Sequence, residues 1–168
     1  MESRRIYSMK IALSLQEWIF FIPTVKYCPH SSGNNFLDLM TKDKVRVNLG
    51  VDIIDIDRVA TAITRSGDKL LHRLLTDDER RELGDITHNC ERVAGFWAAK
   101  EAAVKALGTG FRLGIAFHDI EVRHDELGRP FYFFSGEFAR LMKARGLAQS
   151  TLSISHCRTH AIAAAAFS

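Results

Sequence analysis

The chain has 168 residues, 46% hydrophobic and 26% charged, which suits one globular domain with a real core and leaves too little length for two. A formal net charge of +3 fits an acidic partner or an anionic substrate, but no long Lys/Arg block marks a nucleic-acid binder. Cys28, Cys90 and Cys157 are odd in number and scattered, which excludes a disulfide framework and a CxxC pair and places the chain in a reducing compartment; no uncharged apolar run of about 20 residues exists to span a membrane.

Residues 1–43 show no steady period. In "KIALSLQEWIFFIPTV", preceded by Arg4 and Arg5, the apolar run imitates a signal peptide, but Gln16 and Glu17 split it and no cleavage site follows. "CPHSSGNN" reads as loop. From Val45 the signals become orderly. "VRVNLGVDI" alternates: Val45, Val47, Leu49, Val51 and Ile53 share one face, Arg46, Asn48, Gly50 and Asp52 the other, which predicts a strand. "IDRVATAITRSG" predicts a helix ending at Gly67. "TDDE", Thr76 to Glu79, is a capping box that opens a short helix closed by Gly84. A long helix follows from about His88 to Leu107, then the loop "GTGFRLG".

"FHDIEVRHDELGRPFYFF" predicts a hairpin with Gly128 in the turn and Pro130 opening the second strand. Its aromatics read as strand residues, mostly core. Ser135 caps a helix that Gly146 ends. "STLSISH" and "HAIAAAAFS" close the chain as a second hairpin, the last strand long and apolar for an edge. Helices and strands mix without regular βαβ alternation, so the fold class is α+β, a small antiparallel sheet packed with the long helix.

That helix carries the chemistry. In "GFWAAKEAAVKALGTG", Lys100, Glu101 and Lys105 stand among Ala98, Ala99, Ala102, Ala103 and Ala106. At 100° per residue Glu101 and Lys105 lie about 40° apart, and Lys100 about 140° from Lys105, which reads as one charged side. A solvated Glu–Lys pair would explain it blandly. Small neighbours, however, admit a ligand, and Gly108 and Gly110 permit unusual backbone angles and close approach. A carboxylate with two lysines beside a glycine loop suits a phosphate with a hard metal ion. Asp52 faces away from the apolar row of its strand, and Asp55 competes for the cap of the next helix, which leaves Asp52 free. "SISH" ends a strand at His156. His118, His156 and His160 lack partners at zinc-ligand spacing.

Taken in order, "GVDIIDIDR", "FWAAKEAAVKALGTG", "FHDIEV", "GRP" and "SISHCRTHAIAAA" resemble the holo-[acyl-carrier-protein] synthase family, the small bacterial phosphopantetheinyl transferases, over about residues 46–168. The resemblance implies a homotrimer in the cytoplasm with sites at subunit interfaces, transferring phosphopantetheine from coenzyme A to a serine of apo acyl carrier protein in fatty-acid synthesis. It implies that Asp52 and Glu101 ligate Mg²⁺, that Lys105 contacts the pyrophosphate and shares the catalytic role with Glu101, and that Lys100 assists the phosphate field. Gly108 and Gly110 would approach the nucleotide, and Ser155 and His156 would line the coenzyme A site. The serine proton would go to Glu101 or to a water on the metal; the sequence does not choose. Arg58 and Arg65, seven apart on one helix face, with Arg73 nearby, offer a basic surface to the acidic carrier. The family pattern usually begins a few residues before G-x-D, near Met40 here. Residues 1–43 therefore read as an extension, disordered or created by an upstream start, and residues 44–168 as the transferase domain. The rival reading is a non-enzymatic basic module for anions or nucleic acid, which predicts aromatics interleaved with Lys/Arg.

Overall fold

The computed structural model describes residues 47–85 and 89–168. Strand β1 (Asn48–Asp55) leads directly into helices α1 (Ile56–Ser66), α2 (Asp68–Leu74) and α3 (Asp77–Leu83). The long helix α4 (Cys90–Leu107) follows. A 3₁₀ turn (Phe117–Asp119) then precedes strands β2 (Ile120–His124) and β3 (Pro130–Phe134), helix α5 (Gly136–Ala144), and strands β4 (Ser150–His156) and β5 (His160–Phe167). The two sheets are antiparallel: β1-β5-β4, and the separate hairpin β2-β3. This is the expected α+β class. The last strand is not an edge, however. β5 lies in the middle of the three-stranded sheet, so "AIAAAAF" is paired on both sides.

Local chemistry explains the element ends. The Asp55 carboxylate caps α1 by accepting the Arg58 amide at 3.1 Å. In the α3 capping box the Glu79 amide donates to Thr76 Oγ1 at 3.2 Å, and the Thr76 amide donates to Glu79 Oε2 at 2.8 Å. At Ser135 the backbone position is a cap but the hydroxyl makes no cap bond; it reaches the His118 carbonyl at 3.5 Å instead. The sequence pattern predicts no helix over α2, seven residues between Gly67 and Leu75. The predicted start of α4 at His88 lies outside the described residues, as does the reading of residues 1–43.

α4 crosses the inner face of the three-stranded sheet, mainly β1 and β5. It is buried nearly all round: Val93, Ala94, Ala98, Ala99, Ala102, Ala103 and Val104 are inaccessible to solvent. This is the pattern of a core helix rather than a surface one. Alanines on α4 meet Ala161, Ala163 and Ala165 of β5, all inward-facing and buried. A second part of the core stacks Phe134, Phe138 and Phe167 with Tyr132, whose hydroxyl donates to the Ala99 carbonyl at 2.7 Å.

The face of β1 that meets α4 is the small and polar one, Gly50 and Asp52. Its apolar row is turned outward: Val47, Leu49, Val51 and Ile53 are 59%, 66%, 45% and 62% exposed. Ile162, paired with Ile53, is exposed beside it. On the β2-β3 hairpin Tyr132 and Phe134 go inward, but Phe131 and Phe133 are exposed, with the Arg123 guanidinium 3.9 Å above the Phe133 ring. The tract "PFYFF" is thus core on one face only.

Candidate active site

Gly50 determines how close β1 comes to α4. A methyl group at this position would collide with the Ala102 carbonyl and the Ala106 amide, both backbone atoms that cannot move aside. Only glycine allows this approach. Two residues on, on the same strand face, Asp52 is therefore brought against the side of α4 that carries Glu101 and Lys105. The Lys105 ammonium donates to Asp52 Oδ1 at 2.7 Å and to the Val51 carbonyl at 3.2 Å.

Asp52 holds the Lys105 ammonium directly, and Glu101 feels the charge of both. Burial raises the Asp52 pKa, against the Lys105 hydrogen bond and charge that lower it. Glu101 is pushed from 4.5 to about 7, first by burial and then by the Asp52 charge; Lys105 and a hydrogen bond from Trp97 oppose the shift. Both shifts come first from burial, and at Glu101 the neighbouring Asp52 charge adds to it. Such a site favours a further cation. Among the described residues no group of three or more His, Cys, Asp or Glu is placed to hold a metal. Two carboxylates are nonetheless what Mg²⁺ takes when substrate phosphates and water fill its other positions. The donor set therefore fits that ion.

Lys100 is not in this cluster. Although it precedes Glu101 in sequence, it points to another side of α4. Its side chain is wholly buried, and its ammonium donates to Glu79 Oε2 at 2.7 Å and to the Phe117 carbonyl at 3.1 Å. The single charged side expected from the helical wheel is two sites. The wheel angle between Lys100 and Lys105 was large enough to separate them once both flanks of the helix were covered.

At the end of α4, Gly108 and Gly110 both take left-handed backbone angles, φ 75° and 60°. The amides of this loop are spent on the helix: Gly108 donates to the Lys105 carbonyl, and Thr109 and Gly110 to the Val104 carbonyl. Its glycines act first as a C-cap. Thr109 between them is buried, and its hydroxyl has no partner among the described residues. Arg145, just past α5, donates to the Leu107 carbonyl.

In β4 the register separates the two "SISH" residues. His156 pairs with Ala161, which pairs with Ile54, so it shares the α4 side with Asp52. Ser155 pairs with Ile162 and faces outward with the apolar row. Cys157 is exposed in the β4–β5 turn, the pKa of its thiol lowered to about 7 by hydrogen bonds from Thr159 and His160. Arg58 and Arg65 are both exposed on α1, with Arg73 exposed on α2.

A family model described as the 4'-phosphopantetheinyl transferase superfamily matches residues 48–165. A holo-[acyl-carrier-protein] synthase of Solidesulfovibrio magneticus is 45% identical over 115 residues, 68% of this chain and 92% of the relative. The chain belongs to the holo-[acyl-carrier-protein] synthase family. Solved structures of that family have the same fold. The Neisseria meningitidis synthase is 29% identical with a TM-score of 0.66, over 72% of this chain and 97% of that one. The Helicobacter pylori synthase, crystallised in complex with coenzyme A, is 30% identical with a TM-score of 0.64, over 71% and 99% of the two chains.

Two features of this synthase site were not assigned from sequence. Trp97, within the quoted motif, hydrogen-bonds Glu101 one turn on; the i, i+4 spacing was the signal. Glu79 was read only as a capping residue, a sufficient explanation that hid its second partner.

Proposed function

We propose that the chain transfers the 4'-phosphopantetheine arm of coenzyme A to a serine hydroxyl of apo acyl carrier protein, releasing adenosine 3',5'-bisphosphate, at a centre built from Asp52, Glu101 and Lys105. The observation that carries the assignment of the centre is that Glu101 stands beside the Asp52–Lys105 ion pair, with the Lys105 side chain 36% exposed. These residues lie in the stretches by which the sequence resembles the family, inside the matched span.

In the reaction the serine oxygen bonds to the phosphorus on the pantetheine side. The bond from that phosphorus to the bridging oxygen breaks, the bisphosphate leaves with the electron pair, and the serine proton passes to Glu101 or to water. Asp52 and Glu101 would hold Mg²⁺, which when bound supplies Lewis-acid stabilisation of the pyrophosphate oxygens. Lys105 contributes a fixed positive charge where negative charge develops on the transferred group. Its reach over Asp52 keeps it oriented between substrates. Gly108 and Gly110 shape the loop against the nucleotide, and His156 lines the coenzyme A site from the α4 side of the sheet.

Partners follow from the surfaces. Arg58 and Arg65 receive the acidic carrier beside the site, since α1 starts where β1 ends. The outward row Val47, Leu49, Val51 and Ile53 is an apolar surface of the kind that other protein covers. Copies of this chain in a homotrimer are the occupant we propose, with Ser155 on that face at the boundary. Cys90 and Cys157 are free thiols, in keeping with the cytoplasm; among the described residues no helix is long and apolar enough to cross a membrane.

The test is mass spectrometry of apo carrier incubated with the protein, coenzyme A and Mg²⁺. The carrier gains the phosphopantetheine mass, the bisphosphate appears in equal amount, and a chelator stops both. An unmodified carrier under these conditions contradicts the proposal. Light scattering reads the trimer, and a monomer with full activity contradicts that part.

A further inference from the structure

Lys100 is a buried cation that the transfer chemistry does not use. Its surroundings are unusually complete. Glu79 and Lys100 are both inaccessible to solvent, 2.7 Å apart. Glu79 Oε2 also accepts the Thr76 amide at 2.8 Å, and Oε1 accepts the Val122 amide at 2.9 Å. Lys100 adds its bond to the Phe117 carbonyl at 3.1 Å. The start of α3 and the 3₁₀ turn thus meet at the Lys100 ammonium, and strand β2 joins them through Glu79. The remaining nearby charge is Glu121, which itself engages Arg123.

On the side that faces the sheet, the packing of α4 gives little to fix its rotation. Its sheet-facing surface is alanine packed on alanine and glycine: Ala102 and Ala106 on Gly50, and more alanines facing β5. Smooth faces interlock weakly, and several rotations or small slides bury nearly the same area. A buried polar pair is satisfied in one arrangement only, which is how such pairs specify register. Glu101 is the next residue, so its direction follows that of Lys100.

We infer that Glu79 and Lys100 form a positioning pair that locks the rotation of α4 and thereby holds Glu101 opposite Asp52. The inference rests on the transfer reading above. It makes Glu79, at the start of a separate short helix, a positioning residue for the reaction.

The experiment compares the wild type with the double variant Glu79→Gln/Lys100→Met, which removes both charges together and keeps side-chain volume. Four quantities are measured: melting midpoint, kcat, KM for coenzyme A, and the calorimetric Kd for Mg²⁺ without substrates. The pair as a positioning device predicts a folded variant with KM within about twofold. Its kcat falls and its Mg²⁺ Kd rises by about tenfold or more, the usual cost of losing an outer-layer partner. A folded variant with unchanged kcat and Mg²⁺ affinity overturns the inference, whatever its melting midpoint. If the double variant does not fold, Glu79→Gln alone, which retains a capping side chain, is read the same way, and failure of both to fold makes the pair purely structural and also overturns it. A wild type that modifies no carrier would defeat the transfer reading instead, and the Mg²⁺ affinities would still decide the pair.

Discussion

Adjacent residues of α4 show two ways of placing charge inside a protein. On one flank Lys100 and Glu79 are buried, paired one to one, with each oxygen and the ammonium further hydrogen-bonded to the backbone. On the other flank Asp52 holds Lys105 with Glu101 beside them, the site stays partly open to solvent, and both carboxylates have raised pKa values. The first arrangement is closed and asks for nothing more. The second is open on one side, where the proposed cation and phosphate would bind. Residue types alone do not distinguish them, since each has lysine and carboxylate. Stoichiometry and access do. A functional centre is found where charge balance fails in a place that a ligand can reach.

The contrast breaks most sharply at Lys100. Lys100→Met alone strands the Glu79 carboxylate in the core and should lower stability by about 3–5 kcal/mol. Denaturant unfolding measures it. A loss no larger than that of a typical surface substitution would mean the flank is not sealed as described.

Glu101 should give the next largest effect, as a pH dependence. Its pKa is raised in the folded protein from 4.5 to about 7, so the folded state binds this proton more tightly than the unfolded chain. Stability is then highest below about pH 4.5 as far as this group is concerned, and falls as pH rises to about 7, by roughly 3 kcal/mol. Asp52, raised for the same reason, adds in the same direction. In metal-free protein, Glu101→Gln should flatten the stability profile over that window. Wild type and variant profiles that run parallel would show that the Glu101 pKa is not raised in the fold.

Lys105→Ala should cost about 1.5–3 kcal/mol of binding or transition-state stabilisation, the worth of a charge-assisted phosphate contact, hence more than tenfold in affinity or rate. Calorimetry with coenzyme A and steady-state rates separate the two; unchanged values in both would remove Lys105 from the centre. The smallest effect is expected from the chain end. A protein beginning at Met40 should transfer phosphopantetheine as fast as the full chain, because both flanks of α4 are built from residues beyond Asn48. A loss of transfer on truncation would make the N-terminal segment part of the enzyme.

The open flank was legible in the sequence. G-x-D and K-E-A-x-x-K name its residues, and the i, i+4 spacing of Glu101 and Lys105 survives folding because it is fixed by helix geometry. Freeing Asp52 by giving the cap to Asp55 was also legible, and the Asp55 bond to the Arg58 amide is present. The sealed flank was not. A helical wheel gives directions but not depth, and Lys100 looked solvent-facing because its partner is 21 residues upstream. The alternation of β1 was clear, yet the pattern cannot say which face meets the helix. Here the apolar row points away, and Gly50 with Asp52 points in. "AIAAAAF" read as an edge because hairpin order places β5 last, whereas pairing with β1 makes it central. α2 has only seven residues, too few to establish a helical period.

The most direct measurement is single-turnover transfer, followed by the mass of the carrier, for Asp52→Asn and Glu101→Gln beside the wild type. Each change keeps shape and removes one charge from the open flank. With coenzyme A and Mg²⁺ saturating, both variants should remain folded and transfer phosphopantetheine about 100- to 1,000-fold more slowly, the cost of removing one electrostatic element from a preorganised site. Folded variants that modify the carrier at the wild-type rate would contradict the account, because the open flank of α4 would then not be where the reaction takes place.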